Sequence, residues 1–248
     1  MDNPPDFMAQ WDYQDPAATA LRFRRLLEEA QDDLQYELEL LTQIARTHSL
    51  QRQFAQAHQL LDEIEPRLTD ATPRARLRAL LERGRTFNSA GDKASARTLF
   101  EQGWQLGLKL GETGLAIDAA HMVAIAAPLE EQSRWHQLAM TLAERSADDK
   151  VRGWLPSLYN NQGWTLFELG RFEEARACQQ HFMRVRQGLG DVGKEQAEVF
   201  CLALVLVVAA GFDALCLGVF AVEHHHMGFG VVHPDNGVKS AHENAFLK

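Results

Sequence analysis

Cysteine is scarce in this sequence, and basic residues are too few to balance the acidic ones. The three cysteines, Cys178, Cys201 and Cys216, lack the spacing of a metal or redox site, which predicts reduced thiols. The formal net charge of −9 argues against nucleic acid as a partner, because an acidic chain repels phosphate. The first residues lack the basic-then-apolar pattern of a signal peptide. We therefore expect a cytoplasmic protein that does not bind nucleic acid.

The sequence also lacks a pattern typical of an active site. Gly188, Gly190 and Gly193 follow a predicted helix rather than a strand, so they do not indicate a phosphate-binding loop. The run from Glu223 to His226 carries metal-ligating residue types, but its spacing matches no zinc site. We predict no enzyme activity, no cofactor and no bound metal.

Residues 159–186 show the pattern of two antiparallel helices joined by a tight turn. Gly170 falls where the first helix must stop, and glycine adopts positive φ at no steric cost. Gly163 allows a partner helix to approach closely, Phe172 begins the second helix, and Ala175 suits a close helix crossing. One hairpin cannot bury its apolar face alone, so the chain is expected to contain further copies.

Three weaker copies precede this stretch, at about residues 38–67, 74–108 and 113–146. The third copy lacks the turn glycine, and Pro128 makes the break instead. The small residue at the helix crossing is assigned to Ala57, Ala96, Leu138 and Ala175. The residues that define the pattern most clearly are Gly84, Gly91, Ala96, Gly163, Gly170, Phe172 and Ala175.

This spacing of small, turn and aromatic residues resembles the tetratricopeptide repeat (TPR) family. The resemblance implies an all-α fold, a right-handed α-solenoid of TPR-like helical hairpins with an N-terminal capping helix. The crossing residues are 39, 42 and 37 positions apart, against 34 in the family, so helices or turns are expected to be longer than standard. The predicted repeat domain spans residues 16–190 and follows an N-terminal segment, residues 1–15.

The capping helix is predicted to begin at Asp15 and Pro16, because aspartate suits the N-cap and proline the first helical position. It runs to about Gln31, and Trp11 and Tyr13 are expected to fold over it. Its apolar residues are Leu21, Phe23, Leu26 and Leu27.

The composition changes abruptly after about residue 198. No arginine follows Arg186, and most valines lie from Val199 onward. Residues 199–222 are apolar except for Asp213. This segment is long enough to span a membrane. Three alternatives stay open for this region, predicted as residues 191–222: a degenerate fifth repeat, a single transmembrane helix, or the product of a changed reading frame. Residues 223–248 are expected to form an irregular tail.

In TPR proteins the first helix of each repeat lines a concave groove. The resemblance places six residues at groove positions: Arg46, Arg78, Arg85, Asn88, Asn160 and Trp164. Arg78 and Arg85 are seven residues apart and share a helix face, where exposed arginines can pair with carboxylates. The alternative is an ordinary solvated face with ion pairs inside one helix, such as Arg78 with Glu82.

The resemblance implies a non-catalytic scaffold or adaptor that binds a protein or peptide partner in this groove. The arginines predict that the ligand is acidic. The alternative function is a membrane-tethered TPR accessory factor, anchored through residues 199–222 with its repeat domain in the cytoplasm.

Overall fold

The computed structural model describes residues 4–30 and 33–188, and over these residues the fold is an all-α solenoid built from consecutive packed helices. The predicted segments 191–222 and 223–248, with the three alternatives for them, lie outside the described residues. Contacts divide the chain into two compact units, and the boundary along the chain falls between Pro128 and Leu129. Each unit is described by itself.

In the described residues of the first unit, 4–30 and 33–128, there are six α-helices and two short 3-10 helices. Each α-helix packs against the next, and the first helices of successive hairpins, α2, α4 and α6, also contact one another. The α-helices are α1 (Pro16–Glu29), α2 (Leu34–Leu50), α3 (Phe54–Ile64), α4 (Pro73–Ala90), α5 (Lys93–Leu110) and α6 (Thr113–Ala126), and the 3-10 helices are Phe7–Gln10 and Glu65–Arg67.

The second unit is built on α9, which packs against both α7 and α10. Phe172 meets Phe167 edge to face, with ring centroids 5.5 Å apart, and Ala175 is fully buried in the same cluster as Leu166. The predicted hairpin at 159–186 is therefore confirmed. A short helix between the third and fourth copies was not predicted. The helices are α7 (Leu129–Glu144), α8 (Asp149–Arg152), α9 (Leu155–Glu168) and α10 (Phe172–Gly188).

Aspartate side chains start several of these helices. The carboxylate of Asp15 accepts a hydrogen bond from the backbone N–H of Ala18, with Pro16 at the first helical position, so the predicted start of the capping helix is confirmed. Asp33 and Asp92 cap α2 and α5 in the same way. Each cap satisfies a backbone donor that the helix itself leaves unpaired.

Three of the hairpin turns, those after α2, α4 and α9, contain a residue in the left-handed conformation. Gly91 has φ 95° after α4, and Gly170 has φ 72° after α9, as the sequence predicts. In the first hairpin the non-glycine residue Arg52 takes this conformation, with φ 59°. A side chain in this conformation costs roughly 1–2 kcal/mol. The first copy is harder to recognise in the sequence because it has no glycine at this turn.

The assigned crossing residues are correct in three of the four copies. Ala57, Ala96 and Ala175 are fully buried. Leu138 is wrong, because it is 36% exposed and the neighbouring Ala139 is the fully buried small residue. The error arises because the third copy has no turn glycine from which to count, and its two helices, α6 and α7, belong to different units.

The N-terminal segment folds over the capping helix as expected. Trp11 meets Phe23 of α1 edge to face, with ring centroids 5.3 Å apart, and both side chains are buried. Phe23 lies in one cluster with Tyr36 and Ile44 of α2. Leu21, by contrast, is 56% exposed and does not belong to the packed face.

Among the helices within residues 4–30 and 33–188, none combines the length and apolar character needed to cross a membrane. Residues 199–222, the predicted anchor of the alternative function, lie outside this range.

We predict that Gly84→Ala destabilises the first unit. A Cβ at Gly84 would lie 2.5 Å from Cε1 of Phe100, whose ring is fully buried in the core and has no room to retreat. Overpacking of this kind costs about 1–3 kcal/mol. Chemical denaturation of both proteins measures the difference.

The matched control is Gly114→Ala, because a Cβ at Gly114 meets no atom within 4 Å. It should leave the unfolding midpoint unchanged or raise it slightly, since alanine favours the helix. Equal midpoints for Gly84→Ala and the parent protein would contradict the close approach of α4 and α5.

Candidate functional site

Polar side chains recur on one side of the first helices in the first unit. Within α2 and within α4 these residues are spaced by four and then three positions, which places them on one helix face. We call this set the polar face: Glu39, Gln43 and Arg46 on α2, Arg78, Glu82 and Arg85 on α4, and Asp118 and His121 on α6.

The first contact across the polar face joins α2 to α4. Nε of Arg78 donates to Oε2 of Glu39 over 2.7 Å, and both side chains are buried. Arg74, which is half exposed, approaches the same carboxylate at 3.5 Å. Glu39 therefore serves as the shared acceptor at this level of the stack.

Glu82 is the centre of the polar face. Its carboxylate accepts from Nη1 of Arg46 at 3.0 Å and from Nη1 of Arg85 at 2.9 Å. The Gln43 amide donates to it at 3.2 Å. A single carboxylate of α4 thus binds two side chains of α2 and one of its own helix.

Arg85 extends the network to α6. Its Nη2 lies 2.5 Å from each carboxylate oxygen of Asp118. The three helices are therefore joined by a continuous run of alternating charges, from Arg46 through Glu82 and Arg85 to Asp118. Such charge-assisted hydrogen bonds are about twice as strong as neutral ones.

Burial and pairing shift the pKa values of this network. Burial alone would raise the pKa of Glu82, but Arg85 and Arg46 outweigh it and hold that pKa below its usual value. Burial likewise opposes the charged form of Arg85, while Asp118 and Glu82 raise its pKa. Both groups therefore stay ionised, and each depends on its partners for that state.

His121 is held neutral at the α6 side of the face. Its side chain is buried, and desolvation lowers its pKa to about 4, with Asp118 opposing and Arg85 reinforcing that shift. His121 is therefore a packed core histidine.

The sequence predicts that the three groove arginines are exposed, and this prediction is wrong. The relative exposures of Arg46, Arg78 and Arg85 are 7%, 6% and 9%. The predicted solvated alternative, an ion pair between Arg78 and Glu82, is also not what forms, since Arg78 pairs with Glu39. The reason is that each arginine meets a carboxylate from a neighbouring first helix.

The other three predicted groove residues do not join this network. Asn88 is half-buried near the end of α4. Asn160 and Trp164 are half-buried on α9 in the second unit. Asn160 donates to Asn161, and Trp164 packs edge to face on Phe167. The structure therefore brings together only the arginines of the predicted set.

The N-terminal segment lies on the polar face. The guanidinium of Arg46 is 5.8 Å from the ring centroid of Trp11 and 5.6 Å from that of Tyr13, and these two rings stack at 4.7 Å. Arg78 lies 5.2 Å from the ring centroid of Phe7. Trp11 also donates its indole N–H to Gln43 at 3.1 Å. Cation–π contacts between arginine and aromatic rings hold the segment here.

Sequence reasoning missed the carboxylates that complete the polar face and the aromatic residue Phe7. A sequence signal exists for Glu39. The positions of Glu39, Gln43 and Arg46 are occupied one repeat later by Arg78, Glu82 and Arg85, at the same 39-residue separation as Ala57 and Ala96. Glu39 and Arg78 are opposite charges at equivalent positions of adjacent first helices, which would have predicted their pairing.

Within residues 4–30 and 33–188, no three histidine, cysteine, aspartate or glutamate side chains are grouped to hold a metal ion. The histidines at 224–226 lie beyond these residues.

We predict that Arg85→Ala strongly destabilises the fold. The replacement leaves the buried carboxylates of Glu82 and Asp118 without their shared partner, which typically costs about 3–5 kcal/mol. The double replacement of Arg78 and Arg85 should likewise disrupt the fold, because it also leaves the buried carboxylate of Glu39 without Arg78. Thermal unfolding followed by circular dichroism gives the loss.

The matched control is Arg83→Ala on the same helix. Arg83 pairs with Asp62 and Glu65, both well exposed, so its loss should cost less than about 1 kcal/mol. Similar unfolding midpoints for the Arg85→Ala and Arg83→Ala variants would contradict a buried network.

We also predict that stability falls as the pH drops from about 6.5 towards about 4. The folded protein keeps His121 neutral with a pKa of about 4, whereas the unfolded chain binds a proton at the ordinary value. This contributes on the order of 3 kcal/mol near neutral pH, which is lost progressively through that window. His58, whose pKa is lowered by burial, acts in the same direction.

The variant His121→Gln tests this assignment. Its unfolding midpoint should depend on pH less steeply between 6.5 and 4.5 than that of the parent protein. The control His58→Gln should flatten the profile less, since His58 is more exposed. An unchanged slope in His121→Gln would remove His121 from the acid response.

Comparison with known proteins gives the fold but no family. Neither a protein-family model nor a curated protein sequence matches the chain. The chain is similar in structure to BtubC (BKLC) from P. vanneervenii, with a TM-score of 0.63 and 16% sequence identity over 95% of this chain and 96% of that chain. At this identity the likeness is one of fold.

Proposed function

We propose that this chain is a non-catalytic binding module, a TPR-like scaffold or adaptor that holds a segment of a protein or peptide partner. The proposed site is the polar face of α2, α4 and α6. The resemblance of the sequence to TPR proteins supports the class of function, and the packing of consecutive hairpins supports the architecture that such binding requires.

One observation carries the proposal: the polar face already holds a short segment of polypeptide. Phe7, Trp11 and Tyr13 rest against Arg46 and Arg78, and the indole of Trp11 bonds to Gln43. A surface that accommodates one linear segment through a few side chains has the shape and chemistry to accommodate another.

The charge of the ligand remains a prediction. The sequence suggested an acidic ligand because three arginines share the face. Each arginine is paired with a buried carboxylate of the chain, namely Glu39, Glu82 or Asp118. The arginines therefore act on a ligand chiefly through stacking on aromatic rings, for which a guanidinium remains suited while it is paired.

The perturbed titratable groups fit a binding role rather than catalysis. The shifts of Glu82, Arg85 and His121 follow from burial and from their ion pairs, which need no substrate to explain them. Burial raises the pKa of the Cys178 thiol to about 11, and a protonated thiol is a poor nucleophile.

Selection from a displayed library of random twelve-residue peptides tests the proposed function. The full chain should enrich peptides that bind it in solution. Hydrogen exchange should then show protection in α2 and α4 rather than in α3 and α5. Failure to enrich any peptide, with the parent protein and with variants that loosen its N-terminal segment, would refute a peptide-binding role.

A further inference from the structure

Residues 5–13, which we call the strap, dock on the first unit through three side chains. Phe7 and Trp11 are buried, at 6% and 4% exposure, and Tyr13 is half-buried. The other side chains of the strap are mostly exposed, namely those of Pro5, Asp6, Ala9, Gln10 and Asp12. A few anchors separated by solvent-exposed positions are typical of a bound linear segment rather than of an element of the core.

The surface under the strap is formed and preorganised by residues outside the strap. Phe7 lies 5.6 Å from the ring of Tyr36 and 6.2 Å from that of Phe23, and the cluster continues into Leu40 and Ile44. Rigid helices α1 and α2 carry all four of these residues. The apolar pocket therefore depends on helix packing, and Arg46 and Arg78 flank it with positions fixed by their carboxylates.

The surface binds the strap's backbone through side chains of the helices. The Tyr36 hydroxyl donates to the carbonyl of Pro5 at 2.8 Å, and Nε of Arg22 donates to the carbonyl of Gln10 at 3.0 Å. Thr19 exchanges hydrogen bonds with the backbone of Asp12. Every peptide carries such backbone groups, so these contacts can form with any sequence. The aromatic anchors therefore determine which sequences the surface selects.

We propose that this surface binds a segment of a partner protein that carries aromatic side chains at positions i, i+4 and i+6. The strap, with Phe7, Trp11 and Tyr13 at this spacing, is the chain's own copy of the ligand and its internal competitor. The inference rests on the proposed function and specifies its ligand.

Tethering makes the strap an effective competitor. A segment joined to its site by a short linker acts at an effective concentration of about millimolar. A partner must therefore bind more tightly than the strap, or the strap must be released first. Weakening a strap anchor should raise the apparent affinity for an external segment by the same factor as it raises the fraction of molecules whose strap is undocked.

The test uses the full chain and a fluorescein-labelled peptide with the sequence of residues 4–14, measured by fluorescence anisotropy. The variant Trp11→Ala should bind this peptide at least tenfold more tightly than the parent protein. A peptide with alanine at all three aromatic positions should not bind. The matched control is Gln10→Ala, because that side chain is exposed and only its carbonyl makes a contact, so its affinity should equal that of the parent.

A folded Trp11→Ala protein that binds the peptide no more tightly than the parent would overturn the inference. Should that variant not fold, the milder Tyr13→Ala takes its place, since Tyr13 is half-buried. In the parent protein, excess peptide should also accelerate hydrogen exchange in Phe7–Gln10 as the strap is displaced. Unchanged exchange at saturating peptide would count against displacement.

The outcomes separate this inference from the proposed function. If selected peptides bind the parent protein but lack the aromatic spacing, the module binds peptides and the inference is wrong. A concentration-dependent dimer that exchanges straps would identify a second copy of the chain as the occupant, which also overturns it. Enrichment of the aromatic spacing by Trp11→Ala or Tyr13→Ala supports both.

Discussion

The buried charges of the polar face constrain how the first helices α2, α4 and α6 pack. Removing such a charge from water costs several kcal/mol, which is recovered only when its partner lies within hydrogen-bonding distance. The partners come from three helices, α2, α4 and α6. No single hairpin can satisfy its own charges, so these helices depend on one another for a stable packed state.

The hairpins could be predicted from sequence because their determinants are local. Gly91 and Gly170 adopt the left-handed conformation that each turn requires, and Asp15 caps the helix that it precedes. A glycine at a turn or an aspartate at an N-cap acts within a few residues, so one sequence is enough to recognise it. The α-solenoid class follows from repetition of such units.

The state of the groove arginines could not be predicted in the same way. Whether Arg78 is exposed depends on Glu39, which lies 39 residues earlier and meets it only when α2 and α4 pack side by side. The strap has no helical or strand periodicity, so its position depends on Phe7 and Trp11 finding a pocket made by distant residues. The polar face thus appears only when the helices are assembled.

The alternation of charges also determines how far each first helix can slide along its neighbour. With Arg78 beside Glu39 and Glu82 beside Arg46, every level of the stack pairs opposite signs. Sliding α4 by one helical turn along α2 would move Glu82 into the place of Arg78 and bring its carboxylate against that of Glu39. An apolar seam carries no such electrostatic penalty, because it contains no charge that the slip could separate from its partner. The ion pairs therefore fix the register of adjacent first helices, and they select one alignment from the several that helix packing alone permits.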